Sequence, residues 1–282
     1  MPPRTTPTLR QKRLGSELRR IRTAAGMSAE FASGLLGVDR GKISNIESGI
    51  RSISADRLRT LACNCDVTDQ NYVEALIDLT KPNSGWWERY RGVLPHGLLD
   101  IAETEGNSRR MRGANTVHVP GLLQTPEQAM AIFRSAVPGL PEHEVALRMA
   151  LRSERQQVIT GERAIPYTAV IHEAALRMQF GGIEVARAQL QYLLEVSERD
   201  NVTVLVLPFA HGGFPGAGQT VVYAEGPVPQ LDTVQVDSSH GPTFLHAEGQ
   251  LTKYRVQHDL LEDLALPAEQ SRDFIRALAN QR

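Results

Sequence analysis

Cysteine is nearly missing from this chain: Cys63 and Cys65 are the only two in 282 residues. In a helical stretch, side chains at i and i+2 point in different directions, so the pair is poorly placed for a disulfide. A lone C-x-C also lacks the further ligands of a zinc site. Both cysteines are expected to be reduced and structural. Long apolar runs are missing too, since no stretch approaches the roughly 18 to 20 residues needed to cross a bilayer. The opening "MPPRTTPTLRQKR" is basic and proline-containing without the apolar segment of a secretory signal, so the expected location is the cytoplasm. The eight histidines are scattered without metal-ligand spacing, and neither a metal nor a cofactor is expected. Even net charge is almost absent, at -1.

That small sum hides an asymmetry. Residues 1–62 hold 12 Lys+Arg against 5 Asp+Glu, while the remainder holds 19 against 27. A basic module joined to an acidic one points to a polyanion as the first module's partner. The chain is also long enough for two domains.

In the basic part the apolar residues fall at helical spacing. Leu14, Leu18, Ile21 and Ala25 make one stripe, with Arg19, Arg20 and Arg22 expected on the outer side and Gly26 as a stop. Ser28 is placed as an N-cap for a second helix running to Leu36, and Gly37-Val38 forms a turn. Asp39 caps a third helix in which Ile43 and Ile46 point inward, leaving Arg40, Gly41, Lys42 and Asn45 outside. Glu47, beside Ile46, is expected to be a satisfied structural carboxylate. "SADRLRTLACNCD" makes a fourth amphipathic helix, and residues 71–79 a fifth.

Two short helices joined by a glycine turn, the second with an exposed polar and basic front, form a helix-turn-helix suited to a DNA major groove. Arginine or lysine can pair with guanine O6 and N7, and asparagine with adenine N6 and N7, while a glycine lets the backbone approach. Arg40, Gly41, Lys42 and Asn45 are therefore the candidates for base edges. Ser28, Ser44, Arg51, Arg10, Lys12, Arg13 and Arg19 are the candidates for phosphates, which position a protein on the duplex without specifying sequence.

The segment Leu36, Gly37, Val38, Asp39, Ile43, Ser44, Ile46, Glu47, Gly49 resembles the Cro and phage-repressor (XRE) class of helix-turn-helix regulators. That class usually carries a phosphate-contacting glutamine at the second position of its second helix, where this chain has Ala29. The resemblance implies binding to double-stranded DNA, and such proteins commonly pair on half-sites about one helical turn apart, so a homodimer is expected.

"TKPNSGWWERYRGVLPHG" mixes turn residues with Trp86 and Trp87. The expected division is a helix-turn-helix domain over 1–80, a linker and junction over 81–97 anchored by the tryptophans, and a second domain over 98–282. In that second domain, 98–112 reads as helix, another helix begins near Pro126, and a longer one covers 141–158. "YTAVI" (167–171) and "VTVLVLP" (202–208) read as strands flanking a helix over 182–198. "TVVYAE", "TVQVD" and "TFLH" follow as short strands, and helices over 248–264 and 268–279 end the chain. The expected fold is an all-α N-terminal bundle followed by an α+β domain, in which the first two strands are open to a parallel pairing.

"VPGLLQT" (119–125), "RSERQ" (152–156), "HEAALRMQFGG" (172–182), "QLQYLLE" (189–195) and "VTVLVLPFAHGG" (202–213) together resemble the C-terminal domain of unknown function that follows an XRE module in a large actinobacterial regulator family. The resemblance implies regulation, with some members antitoxin-like or developmental regulators that work beside a small protein encoded by an adjacent gene. The residues themselves give little sign of catalysis. His172-Glu173 opens like a zincin, but Leu176 stands where the second histidine would be, and "HGGFPGAGQT" (211–220) lacks the Gly-Lys-Ser/Thr of a phosphate loop. An enzyme is not expected, although a catalytic effector autoregulated by the helix-turn-helix stays as the competing reading. Arg152, Glu154, Arg155, Gln156 and Glu173, joined by His211, are the candidate ligand or partner site. Such an arginine-carboxylate set serves either rigidity or anion recognition.

Overall fold

Side-chain oxygens open each helix of the N-terminal part. Thr8 and Gln11 form a capping box, Gln11 N donating to Thr8 Oγ1 at 3.2 Å and Thr8 N donating to Gln11 Oε1 at 2.9 Å, and it starts α1 (Leu9–Ala24) more than a turn before the apolar stripe does. Ser28 caps α2 (Ala29–Leu35), Asp39 caps α3 (Arg40–Glu47), Ser54 caps α4 (Ala55–Asn64) and Asp69 caps α5 (Gln70–Thr80). The computed structural model describes residues 7–82, 85–238 and 240–281, so the opening residues 1–6 and the linker's Asn83 and Ser84 lie outside the described residues. The chain divides into two compact units, Met1–Ser84 and Gly85–Arg282.

The first unit buries Leu14, Leu18 and Ile21 of α1 with Ile43 and Ile46 of α3, Leu58 and Leu61 of α4, and Leu76 of α5. Two glycines of the turn-helix-turn segment are required by shape. Gly37 adopts φ +61° in the turn between α2 and α3. Gly49 adopts φ +77° just past α3, and a Cβ there would lie 2.7 Å from the carbonyl carbon and oxygen of Gln11 in α1. Arg22, expected on the outer side, is instead buried. Its Nε lies 2.5 Å from Glu47 Oε1, its Nη2 lies 3.0 Å from Oε2, and its Nη1 donates to the carbonyl of Met27 at 2.6 Å. Glu47 is thus a structural carboxylate that clamps the end of α3 to α1. Cys63 is exposed and Cys65 buried, both as free thiols, with burial pushing the Cys65 thiol up.

The second unit begins at once. A short 3-10 turn, Trp86–Tyr90, buries Trp87 and Tyr90 with Leu94, Leu99 and Leu151 of the same unit, so residues from Gly85 onward are not the expected linker. After α6 (His96–Gly106) the expected helix over 98–112 gives way to a strand, β1 (Arg110–Asn115). The chain continues through α7 (Pro126–Arg134), α8 (Glu142–Arg155), the short α9 (Gln157–Thr160), β2 (Tyr167–His172), the short α10 (Glu173–Arg177), α11 (Ile183–Val196) and β3 (Val202–Leu207). It ends with β4 (Val221–Glu225), β5 (Thr233–Ser238), β6 (Gly241–Leu245), α12 (Glu248–Leu264) and α13 (Ala268–Asn280).

The six strands form one sheet in the order β3-β2-β1-β4-β5-β6. β1, β2 and β3 run parallel, which the long helical connections allow, while β4, β5 and β6 are antiparallel neighbours joined by short turns. Alternation sends Met111, Ala169, Ile171, Val204 and Val206 to one face, where Leu190 and Leu193 of α11 and Ile275 and Leu278 of α13 cover the parallel part. The opposite face carries Val221, Tyr223 and Val234 under Leu251 and Tyr254 of α12. This is an α+β unit with helices on both faces. No helix among the described residues is long and apolar enough to cross a membrane.

Candidate functional site

The third helix of the first unit has two unlike faces. Ile43 and Ile46 are 3% and 7% exposed, whereas Arg40, Gly41, Ser44 and Asn45 are exposed. Positions 40/44 and 41/45 are i, i+4 pairs, so these four form one continuous outer stripe along the helix. Lys42 stands on the flank, half-exposed, with its Nζ 2.8 Å from Asp39 Oδ2 while its backbone N–H donates to Asp39 Oδ1 at 2.8 Å. The Lys42 side-chain and backbone hydrogen bonds hold the Asp39 carboxyl below its usual range. Lys42 therefore does not project freely from the outer stripe as expected, although a solvent-exposed pair of this kind is weak and readily exchanged.

Among the phosphate candidates, Lys12, Arg19 and Arg51 are exposed, as is Ser28, whose Oγ accepts from Phe31 N at 3.0 Å and keeps its own O–H for donation. Ser44 lies on the outer stripe between Arg40 and Asn45 rather than at its edge. Arg10 is half-buried and donates to the carbonyl of Asp78. Arg13 is the clear correction. It is 5% exposed and faces Glu17 at 3.4 Å, on the inner side of α1, where a phosphate cannot reach it. Glu17 itself is buried and also accepts from Arg20 and, at 2.6 Å, from the Tyr72 hydroxyl, so this end of α1 is an internal charge cluster. Burial and the Glu17 carboxylate push the Tyr72 phenol up.

The second unit holds a cavity of about 390 Å³ over β1, β4 and β5, on the sheet face that α11 and α13 cover elsewhere. Its floor is polar: Asn115 and Gln235 rise from the strands, beside Val222. Its walls come from Ile101 and Glu105 of α6, Phe133 of α7, and Arg152 and Arg155 of α8. The segment after β1, including His118, Leu122 and Gln124, closes the remaining side. Arg155 is committed to Glu105 by two hydrogen bonds of 2.7 and 2.6 Å, with both residues buried. Arg152 is not so neutralised. Its Nη1 donates to Gln124 Oε1 and, at 3.4 Å, to the Gly121 carbonyl, and its guanidinium lies 5.1 Å from the centre of the Phe133 ring. Its Nε is buried without a hydrogen-bond partner, as is the Oδ1 of Asn115. Burial and the neighbouring Arg155 charge bring the Arg152 pKa down to about 9. Burial and the Arg152 charge likewise lower His118, whose ring stacks on Phe180 at 4.8 Å. Asp237 is exposed at the rim and accepts from Gln235 Nε2 at 2.8 Å.

The structure separates the candidate set read from the sequence. Arg152 and Arg155 share the cavity. Gln156 does not line it, and instead donates to the carbonyls of Leu122 and Gln124 at 3.3 and 2.8 Å, bracing the cavity's loop from behind. Glu154 turns the other way, accepting from the Tyr90 hydroxyl at 2.6 Å and pairing with Arg89. Glu173 lies beyond β2, where its Oε2 accepts from Phe209 N at 2.8 Å and its Oε1 from Arg177 Nε at 2.6 Å, tying α10 to the turn after β3. His211 sits exposed in that turn, and neither it nor Glu173 lines the cavity. Sequence reasoning missed Glu105, Asn115, Phe133, Tyr167 and Gln235. One signal pointed the right way, because the "VPGLLQT" block supplies Val119, Gly121, Leu122 and Gln124 to the cavity wall. Among the described residues, no group of three or more His, Cys, Asp or Glu is arranged to hold a metal ion.

No curated protein and no solved structure matches the chain. A family model described as a helix-turn-helix domain matches residues 13–76, the span from α1 into α5 that presents the outer stripe of α3. A second, described as a domain of unknown function (DUF5753), matches residues 98–277 and so takes in the whole sheet and the cavity. This second match spans well over half of the sequence, and the chain belongs to the DUF5753 family, with a helix-turn-helix domain ahead of the family's own domain.

Proposed function

We propose that the protein is a sequence-specific DNA-binding transcriptional regulator of the XRE type, in which α3 reads a major groove and the second unit senses a small protein partner or ligand in an antitoxin-like arrangement. The observation that carries this reading is the outer stripe of Arg40, Gly41, Ser44 and Asn45, opposed to the buried Ile43 and Ile46 and held in place by the Arg22–Glu47 clamp. Arg40 has the donors for guanine and Asn45 the donor-acceptor pair for adenine, and Gly41 between them leaves room for a base edge. Lys42 exchanges Asp39 for the DNA. Lys12, Arg19 and Arg51, with Ser28, hold phosphates. The protein works in the cytoplasm as a homodimer on paired half-sites, with a small protein encoded by an adjacent gene as its partner, and its second unit binds rather than catalyses.

Binding of the purified protein to its own promoter fragment across a salt series tests the reading. Arg40→Ala is expected to cost about 1 to 3 kcal/mol on the specific site and to relax base preference, while Arg51→Ala weakens specific and scrambled DNA alike and lowers the salt slope by about one. If both variants lose equally on both DNAs, α3 does not read sequence. If the wild-type protein binds no DNA better than a scrambled fragment, with or without the neighbouring gene's product, the regulator reading fails.

A further inference from the structure

We propose that the cavity of the second unit is a binding site for a small, singly charged organic acid with an apolar body, its acid group held by Arg152 and its body seated against Phe133, Ile101 and Val222. This deepens the sensing role given to the second unit above by naming the class of ligand, and it can be tested without DNA.

The volume comes first. A space of about 390 Å³ falls at the small end of ligand sites, which run from roughly 300 to 1,000 Å³. Its lining has the usual composition of such a site, apolar walls with a few polar groups aimed inward. Charge then narrows the class. The cavity holds two guanidinium groups, but Arg155 is already paired in bidentate fashion with Glu105, which leaves one cation for a ligand. One cation suits a carboxylate or a similar single charge, and is too few for a polyphosphate.

Two buried polar atoms are the independent sign that something is to be bound. Arg152 Nε and Asn115 Oδ1 both lie in the cavity lining without a hydrogen-bond partner, and Asn115 is 6% exposed. A buried polar group left unsatisfied is destabilising, so an acid oxygen on Arg152 and a ligand N–H or O–H on Asn115 Oδ1 would satisfy both. Arg152 is also held in a costly state. The charged groups around it are Arg155 and Glu105 from the helices and Asp237 from the sheet, with His118 beside it. Burial and Arg155 outweigh the two carboxylates and lower its pKa to about 9, which leaves it charged at neutral pH with its charge only partly answered. An incoming anion relieves that imbalance, because a guanidinium presents its donors as a fixed fork matched to a carboxylate.

The full chain titrated with matched acids and amides that also carry an O–H for Asn115 Oδ1, mandelate against mandelamide and 2-hydroxyhexanoate against 2-hydroxyhexanamide, reads this directly by thermal shift and calorimetry at neutral pH. At least one acid is expected to raise the melting temperature while its amide does not. Arg152→Gln should weaken that acid by about tenfold or more, the loss of one charge-assisted contact, with Arg152→Lys in between. Gly121→Ala supplies a second variant that keeps the charge: a Cβ there would lie 2.9 Å from Arg152 Nη1, so the guanidinium must shift and the acid should weaken even if Arg152→Gln fails to fold. Equal shifts with acid and amide, no shift with either acid, or unchanged affinity in Gly121→Ala overturns the proposal. Promoter binding without added acid is measured separately, so failure here and failure of the DNA reading are told apart.

Discussion

The two units place their buried charge differently. In the first, Arg22 with Glu47, and Glu17 with Arg13, Arg20 and Tyr72, join one helix to another, while Lys12, Arg19, Arg40 and Arg51 are exposed. In the second, Arg155 and Glu105 stiffen the wall of a cavity while Arg152 stays unneutralised inside it. In the five-helix unit the exposed residues of α3 are on the outside and the buried ion pairs serve as joints. A six-strand sheet with helices on both faces has an interior large enough to leave part of one face uncovered, and polar groups from the strands can converge there. Buried charge thus keeps a surface in register in one unit and shapes a volume in the other.

The comparison breaks most readily at its strongest buried pair. Glu105→Ala leaves Arg155 charged and unpartnered in the second unit and is expected to cost about 3 to 5 kcal/mol. Chemical denaturation followed through Trp86 and Trp87, both in the second unit, measures it. A cost below about 1 kcal/mol would mean that the pair is solvated in practice. Gly49→Ala comes next, and acts on the first unit alone. It forces a side chain into a left-handed conformation against the backbone of α1, for an expected loss of about 2 to 3 kcal/mol. Circular dichroism of a fragment is not needed, since the helical signal of the full chain falls in two steps if the weakened first unit melts ahead of the second. A single unshifted transition would contradict the close approach of Gly49 to Gln11.

Acid should then separate the units by a smaller effect. All eight histidines belong to the second unit. His258 is fully buried there, its Nδ1 2.8 Å from the Tyr254 carbonyl, and burial lowers its pKa below 6.5; His118 and His172 are lowered as well. The unfolded chain therefore binds more protons than the folded one just below pH 6.5. The stability contributed by the neutral rings is complete above that pH and is lost as pH falls toward the folded values. Denaturation of the second unit at pH 7.5 and pH 5.5 should show this slope, and His258→Gln should flatten it. The same slope in the first unit would have to come from another source.

Much of the first unit was legible because its signals are local. Ser28, Asp39 and Ser54 each bond a backbone N–H three residues on, so the cap and the helix it starts are read together. Where partners lie far apart, the reading failed. Arg22 looked like surface because Glu47 is 25 residues away, and β1 looked like helix because "RMRGAN" has two arginines and no β-branched residue. Arg112 is tolerated in that strand because Asp259 and Glu262 of α12 reach it at 2.8 and 2.6 Å from the far end of the chain. The candidate ligand site was half legible. Arg152 and Arg155 stand in one motif, but Glu105, Asn115 and Gln235 are brought to them by a helix and two strands from separate parts of the chain.

Periodicity, caps and turn glycines, which act within a few residues, determined from the sequence alone that five short helices form and that α3 carries Ile43 and Ile46 on one side and Arg40, Gly41 and Asn45 on the other. They also determined the later strands β2 to β6 and the helices α11, α12 and α13, though not the short α10. The tertiary structure alone decided which charges are buried joints, that β1 runs between β2 and β4, and that a cavity with an unneutralised Arg152 lies over the switch from parallel to antiparallel pairing. The physical reason is range: a hydrogen bond to a neighbouring turn is written in adjacent residues, whereas desolvation and pairing of a buried charge depend on groups that only the folded chain brings within a few ångströms.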